Sequence, residues 1–230
     1  MQHKEVDGVL VAAHELKEPL AVLRQLAFAL PEMDASGEKI RRELVDVSER
    51  AMRQVNDLTQ IHRLEIQGCD MEPVAVRRVC TEAAREISEL MGQKRQNIVV
   101  SYHNRARLVT ANHDLLKSVV LNFLTNALHY ADEGTETRLS VVDAGSLVRV
   151  AVRDFGPALP TDVWREMRRG FVGRPTSIAM RPGSSGLGLY IASEFSRIMR
   201  GRVGAVRHRD GTSFYVEMPV SQQMSLWGVK

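Results

Sequence analysis

Three groups of residues in this sequence have the types and spacing for chemistry. His14 and Glu15 are neighbours in a segment whose apolar residues recur at helical spacing. Histidine titrates near neutral pH, so the pair is either a plain solvated side chain beside a carboxylate or a functional site. Asn122, Asn126, His129 and Tyr130 follow an i, i+4, i+7, i+8 spacing, which draws one polar strip along an otherwise apolar helix. Two such amides either bond nearby backbone, or coordinate Mg2+ or orient phosphate with Tyr130 against a base. Ser184-Ser185-Gly186-Leu187-Gly188-Leu189 runs into a helical pattern. Backbone N–H groups of such a glycine-rich turn can cradle phosphate oxygens, and such a turn can equally serve close helix packing.

The elements that hold these groups can be read from periodicity. Val6, Val9, Ala13, Leu16, Leu20, Leu23, Ala27 and Leu30 advance by steps of 3, 4, 3, 4, 3, 4, 3, an a/d heptad pattern. Pro31 through Gly37 breaks the pattern, and Ile40, Leu44, Val47, Ala51, Leu58 and Ile61 resume it; Gln54 interrupts the second run, with Val55 beside it as a substitute. Two helices with one narrow apolar seam each cannot bury it alone, so the expectation is an antiparallel hairpin that dimerises into a four-helix bundle. In this register His14, Glu15 and Glu18 fall at b, c and f, on the outer face, and Pro19 kinks the helix just beyond.

Beyond Met71 the pattern changes. β-rich runs at 72–76, 97–102, 106–110, 137–143, 147–153, 202–207 and 213–219 alternate with helical patterns at about 77–93, 112–131 and 186–200. Gly145-Ser146 marks a tight hairpin, so part of the sheet is antiparallel. Mixed strands with three helices predict an α/β two-layer sandwich with a mixed sheet. Residues 155–185 are irregular and rich in Gly and Pro, the pattern of a lid or binding loop. The expected division is therefore 1–68 for the helical domain, 69–222 for the α/β domain and 223–230 for a tail.

Composition narrows the function classes. The 230 residues carry 31 Lys and Arg against 28 Asp and Glu, a net charge of +3 spread along the chain rather than gathered into a nucleic-acid-binding block. Cys69 and Cys80 have neither disulfide-framework nor metal-ligand spacing, which favours a reducing compartment. No run approaches the roughly 18 apolar residues of a membrane span, and the N-terminus lacks a signal-peptide pattern. A soluble, cytoplasmic protein is expected.

In combination these segments resemble the catalytic core of a sensor histidine kinase of two-component signalling. His14 through Leu20 is similar to the family's H box, Asn122 through Ala131 to its N box, and Asp154-Phe155-Gly156 to its G1 box. Phe171 stands at the F box, Gly183 through Leu189 at the G2 box, and Gly211-Thr212-Ser213-Phe214 at the entry to the last strand. All appear in family order over residues 1–220.

The resemblance implies a dimerisation and phosphotransfer hairpin followed by a Bergerat-type ATP-binding domain. It makes His14 the phosphoacceptor and Glu15 the group that orients its ring and takes its proton. Asn126 becomes the Mg2+ ligand and Asn122 the residue that helps position the γ-phosphate or metal. Asp154 accepts from the adenine amino group, Tyr130 packs on the adenine side and His129 touches phosphate. Gly156, Gly186, Leu187 and Gly188 complete the nucleotide-binding set. The implied activity is ATP-dependent autophosphorylation of His14, followed by transfer to an Asp of a response-regulator receiver domain. Input would come from a separate protein or from a domain absent from this chain.

The sequence departs from the family pattern at three places. Glu18 stands where Thr or Asn commonly supports dephosphorylation of the regulator, and Ala158 and Ser184 each replace a glycine. Two other readings remain open: a dimeric phosphotransfer or scaffold protein with a degenerate ATP domain, and a serine-directed kinase or plain ATPase of the same superfamily.

Overall fold

The computed structural model describes residues 17, 20–28, 35–103, 107–161, 164–165 and 187–222. The chain divides into two compact units, Met1–Gly68 and Cys69–Lys230.

The first unit is helical in all its described residues before Gly68. Residues 20–28 form the described part of helix α1, and α2 spans Ala35–Gln67. The expected break therefore ends earlier than the composition suggests: Ala35, Ser36 and Gly37 already form the first turn of α2, where small residues are tolerated. Gly68 ends α2 with φ of +81°, and its N–H bonds the carbonyl of Leu64 at 2.9 Å. A glycine takes this left-handed cap without steric cost.

Burial refines the heptad reading. Ala27, Val55 and Ile61 are buried, so Val55 takes the place that Gln54 leaves open in the second run. Leu23, Ile40, Leu44 and Val47, all expected in the seam, are exposed, at 45–56%. Val22, Leu26 and Phe28 are exposed as well and lie outside the a/d positions. The apolar surface of α1 is thus broader than a two-position stripe.

The second unit opens with β1 (Glu72–Ala75), α3 (Val76–Gln93), β2 (Asn97–His103) and β3 (Leu108–Ala111). It continues through α4 (His113–Tyr130), β4 (Glu136–Ala144), β5 (Leu147–Arg153), α5 (Leu187–Ile198), β6 (Arg202–His208) and β7 (Gly211–Pro219). The main sheet has the order β2-β4-β5-β7-β6, with β2 parallel to β4 and the other pairs antiparallel. β1 and β3 form a separate antiparallel pair. The expected mixed sheet and its hairpin at Gly145, which has φ of +76°, are present.

Alternation decides which face is covered. Val148, Val150 and Val152 of β5 are buried, as are Leu139 and Val141 of β4 and Phe214, Val216 and Met218 of β7. Against them α3 buries Val79, Ala83 and Ile87, α4 buries Leu116, Val119 and Phe123, and α5 buries Leu189, Ile191 and Phe195. Phe123 and Phe214 stack with centroids 6.0 Å apart, locking α4 to the sheet. Cys80 belongs to this core; burial pushes its thiol up to about 12, so it is a packing residue and not a thiolate at neutral pH.

The other face of the sheet is polar and braced by one carboxylate. Glu217 is only 2% exposed and lies between Arg149 and Arg202, its cross-strand neighbours on β5 and β6. The Arg149 Nε donates at 2.9 Å, and Arg202 closes the other oxygen. Burial raises the Glu217 carboxyl, and the two guanidinium groups outweigh it, holding the group below its ordinary value. A lowered folded-state value stabilises the fold above the unfolded carboxylate range, and this stabilisation disappears as pH falls through the folded value. Glu217→Gln is therefore expected to cost about 1–3 kcal/mol at neutral pH. It should also flatten the acid limb of stability in urea unfolding between about pH 3 and pH 7; an unchanged limb would show that Glu217 does not carry it.

Candidate functional site

Asp154 immediately follows β5 and is 1% exposed. A carboxylate so deeply buried must have its oxygens satisfied. Its Oδ1 accepts from the Thr212 N–H at 2.9 Å, and its own N–H donates to the Thr212 carbonyl at 2.9 Å. Both bonds come from the first residues of β7, so the sheet itself positions the acid. Gly211 makes this possible: with φ of +138°, a Cβ there would lie 2.2 Å from the Asp154 carbonyl oxygen and 2.9 Å from its Oδ1. Arg153 Nη1 bonds the Asp154 carbonyl at 2.5 Å, and Nη2 reaches Asp210 Oδ1 at 2.6 Å across the β6–β7 turn. In that turn His208 lies 2.8 Å from Ser213 Oγ; burial and the nearby Arg153 hold its imidazole below the ordinary value, against the pull of Asp210.

The polar strip lies on α4, which starts cleanly. Asn112 caps it by accepting from the N–H groups of Asp114 and Leu115 at 3.1 and 3.2 Å. Asn122, Asn126 and Tyr130 are half-buried and His129 is exposed, while Phe123, Leu124, Ala127 and Leu128 are in the core. Asn122 Nδ2 donates to the Ser118 carbonyl at 3.0 Å, which commits its nitrogen. Asn126 differs: its Nδ2 is enclosed and has no hydrogen-bond partner among the described residues. Such an orphaned amide at a half-buried position is the kind of group a ligand satisfies.

The C-terminal end of α4 meets the stretch after Asp154. Asp132 N–H bonds the Phe155 carbonyl at 2.9 Å. Gly156 sits so close that a Cβ would fall 2.1 Å from the Tyr130 carbonyl oxygen. Phe155 is held by the guanidinium groups of Arg138 and Arg153, 5.1 and 4.5 Å from its ring centroid. Side chains from before β2 secure the last carbonyls of α4: Lys94 Nζ bonds Leu128 at 3.2 Å and Gln96 Nε2 bonds Ala131 at 3.1 Å. The structure thus joins Asp154, Gly156 and the Tyr130 end of the strip at one end of the sheet. Leu187 and Gly188 begin α5 and are half-buried. His14, Glu15, Glu18, Phe171, Ser184 and Gly186 lie outside the described residues.

Sequence reasoning gave Thr212 a place at the last-strand entry but no role at this end, and it missed Thr137 and Gln96. Thr212 had a signal, since a Gly-Thr step entering a strand leaves its N–H to whatever faces the glycine. Thr137 and Gln96 had none, because nothing in a β-rich run or a turn marks a buried hydroxyl or amide.

The second unit thus sets a buried acid at a strand end close to the end of the asparagine-bearing helix. Residues 111–222 match the model of the histidine kinase-, DNA gyrase B-, and HSP90-like ATPase family. The chain is 28% identical over 216 residues to a probable sensor histidine kinase, TcrY, of Mycobacterium tuberculosis, covering 91% of this chain and 44% of that protein. It is 26% identical over 236 residues to the signal transduction histidine-protein kinase BaeS of Escherichia coli, covering 97% of this chain and 48% of that protein. The crystal structure of full-length ShkA in complex with AMPPNP superimposes with a TM-score of 0.69 at 23% identity, over 95% of this chain and 47% of that one. Residues 111–222 thus resemble that ATPase family, and the likeness to named histidine kinases over nearly the whole chain supports a histidine kinase catalytic core. It spans less than half the length of the relatives named here.

The close contact at Gly156 can be tested directly. Gly156→Ala must displace either the end of α4 or the strand exit, and is expected to cost about 1–3 kcal/mol by overpacking. A thermal melt that matches the unsubstituted protein would show that this junction yields freely.

Proposed function

We propose that the protein is an ATP-dependent protein histidine kinase of two-component signalling, which phosphorylates its own His14 and passes the phosphoryl group to an Asp of a response-regulator receiver domain. The observation that carries this reading is the extent of the likeness: it covers 91% and 97% of the chain in two named kinases and is not confined to the ATPase domain. A plain ATPase of the superfamily would share the second unit alone. The same extent speaks against a superfamily serine kinase.

In this reading Asp154 binds the base of ATP, Tyr130 packs beside it, His129 touches phosphate, and Gly156, Gly186, Leu187 and Gly188 complete the nucleotide-binding set. The imidazole nitrogen of His14 attacks the γ-phosphorus in line, the bond to the β–γ bridging oxygen breaks, and ADP leaves. Glu15 takes the imidazole proton. Positioning and charge neutralisation do most of the work in such a transfer, because little covalent help is needed.

Mg2+ suits the donors present. It is a hard cation that takes oxygen ligands and keeps waters and phosphate oxygens for most of its shell. Asn126 and Asn122 offer neutral amide oxygens, and among the described residues no group of three or more His, Cys, Asp or Glu forms a competing all-protein cage. The unpaired Asn126 Nδ2 suits an acceptor such as a phosphate oxygen, which leaves the Oδ1 of the same amide for the metal. When bound, Mg2+ supplies charge neutralisation on the phosphates.

The exposed apolar residues of α1 and α2, Leu23, Leu26, Ile40, Leu44 and Val47 among them, suit a homodimer in which two hairpins form a four-helix bundle. No helix among the described residues is long and apolar enough to cross a membrane. A cytoplasmic site of action, with input from a partner or a separate domain, fits this reading. The alternative scaffold reading has one feature in its favour: Ala158 and Ser184 in place of glycines.

Incubation with Mg-ATP is expected to leave acid-labile, base-stable phosphate on the chain. The label should vanish in both His14→Ala and Asn126→Ala. Normal labelling of His14→Ala would overturn the choice of nucleophile, and no nucleotide binding at millimolar concentration would favour the scaffold. Light scattering at micromolar concentration should give a dimer; a monomer would remove the bundle.

A further inference from the structure

Thr137 lies inward on β4 and is 0% exposed, yet its hydroxyl has no hydrogen-bond partner among the described residues. Gln96 is 2% exposed, and although its Nε2 bonds Ala131, its Oε1 is equally without a partner. A buried polar atom left unpaired costs about 1–3 kcal/mol, so native folds keep few of them. The ladder bonds of β4 are made by backbone, and Leu139 and Val141 fill the equivalent inward positions with apolar side chains. Valine would fill the place of Thr137 with nearly the same shape and no orphaned hydroxyl.

The sheet register says what this hydroxyl stands beside. Arg138, Arg153 and Ser213 pair across β4, β5 and β7. The next row toward that end of the sheet is therefore Thr137, Asp154 and Thr212, all three buried. On its other side Thr137 pairs with Ile98, two residues after Gln96. Gln96 in turn is tied to Ala131, at the end of α4 that packs on Phe155 and Gly156. One acid, one hydroxyl and one amide carbonyl thus converge at the same end of the sheet. Of these, Asp154 Oδ1 receives the Thr212 N–H, while the Thr137 and Gln96 oxygens receive nothing among the described residues.

A cluster rich in acceptors suits a ligand edge rich in donors. An exocyclic amino group on a heterocycle has two N–H bonds, and one carboxylate oxygen takes one of them. We propose that Thr137 is a specificity-determining residue of the nucleotide site, its hydroxyl accepting the second N–H of the base amino group beside Asp154. This rests on the reading of Asp154 as the base-binding acid. A 6-oxo purine presents an acceptor oxygen at the same place, which a hydroxyl can meet by donating but the Asp154 carboxylate cannot, so Asp154 carries the selection against it and Thr137 sharpens the preference for a base with an amino group over one with hydrogen there. Rejection of a ligand that leaves buried polar groups unpaired is the strong form of discrimination.

The test is calorimetric titration of the full chain with ADP and with purine riboside diphosphate, which lacks the 6-amino group. Thr137→Val is expected to melt at the same temperature or higher, since it removes an orphaned hydroxyl. Its preference for ADP over purine riboside diphosphate should shrink roughly tenfold. Thr137→Ser keeps the hydroxyl and should keep the preference. If Thr137→Val does not fold, Thr137→Ala reads the same ratio. An unchanged ratio in the hydroxyl-less variants, or an equal loss for both nucleotides, overturns the proposal and leaves Asp154 as the base-binding acid. Failure of the unsubstituted chain to bind ADP overturns the base-site reading itself.

Discussion

A carboxylate with 1% exposure cannot stand at a strand end unless the protein surrounds it with donors, and the arrangement about Asp154 follows from that constraint. The acid receives the Thr212 N–H, and Thr212 can approach only because Gly211 adopts a conformation closed to other residues. On its far side the chain leaves β5 through Phe155 and Gly156, which press against the end of α4. One buried acid thus fixes the entry to β7, the exit from β5 and the last turn of the helix that bears the amide strip. The Arg149–Glu217–Arg202 brace on the other face performs the same service for the sheet: charges that burial would penalise are made tolerable by partners on adjacent strands.

The two units handle apolar surface in opposite ways. The α/β unit covers one face of its sheet with three helices and leaves the other polar. The described helices of the first unit leave large side chains such as Phe28 and Ile40 in contact with solvent. A chain that seals one core and leaves another open has an unfinished hydrophobic problem in the first unit alone.

Much of this was legible in the sequence, and for a physical reason. Periodicity reports burial and turn residues report chain reversal, so the α4 strip followed from spacing and the β4–β5 hairpin from Gly145-Ser146. Glycine reports backbone crowding, which is why Gly156 and Gly211 mark the tightest approaches. Thr137 and Gln96 escaped notice because their significance arises from pairing across strands distant in sequence, where no local pattern carries a signal. The breadth of the α1 surface was underestimated because the a/d template counts two positions per heptad, and Val22, Leu26 and Phe28 occupy others. The pairing of β1 with β3 likewise depends on registry between segments over thirty residues apart.

The last carbonyls of α4 are held from outside the helix, by Lys94 and Gln96 in the turn before β2. Helix ends fray when their carbonyls lack partners, so the order of the strip's final turn is delegated to a short connector elsewhere in the chain. Heritable variation in that connector would therefore alter the helix terminus while leaving every recognisable motif letter intact, and a comparison of motifs alone would score two such chains as equals.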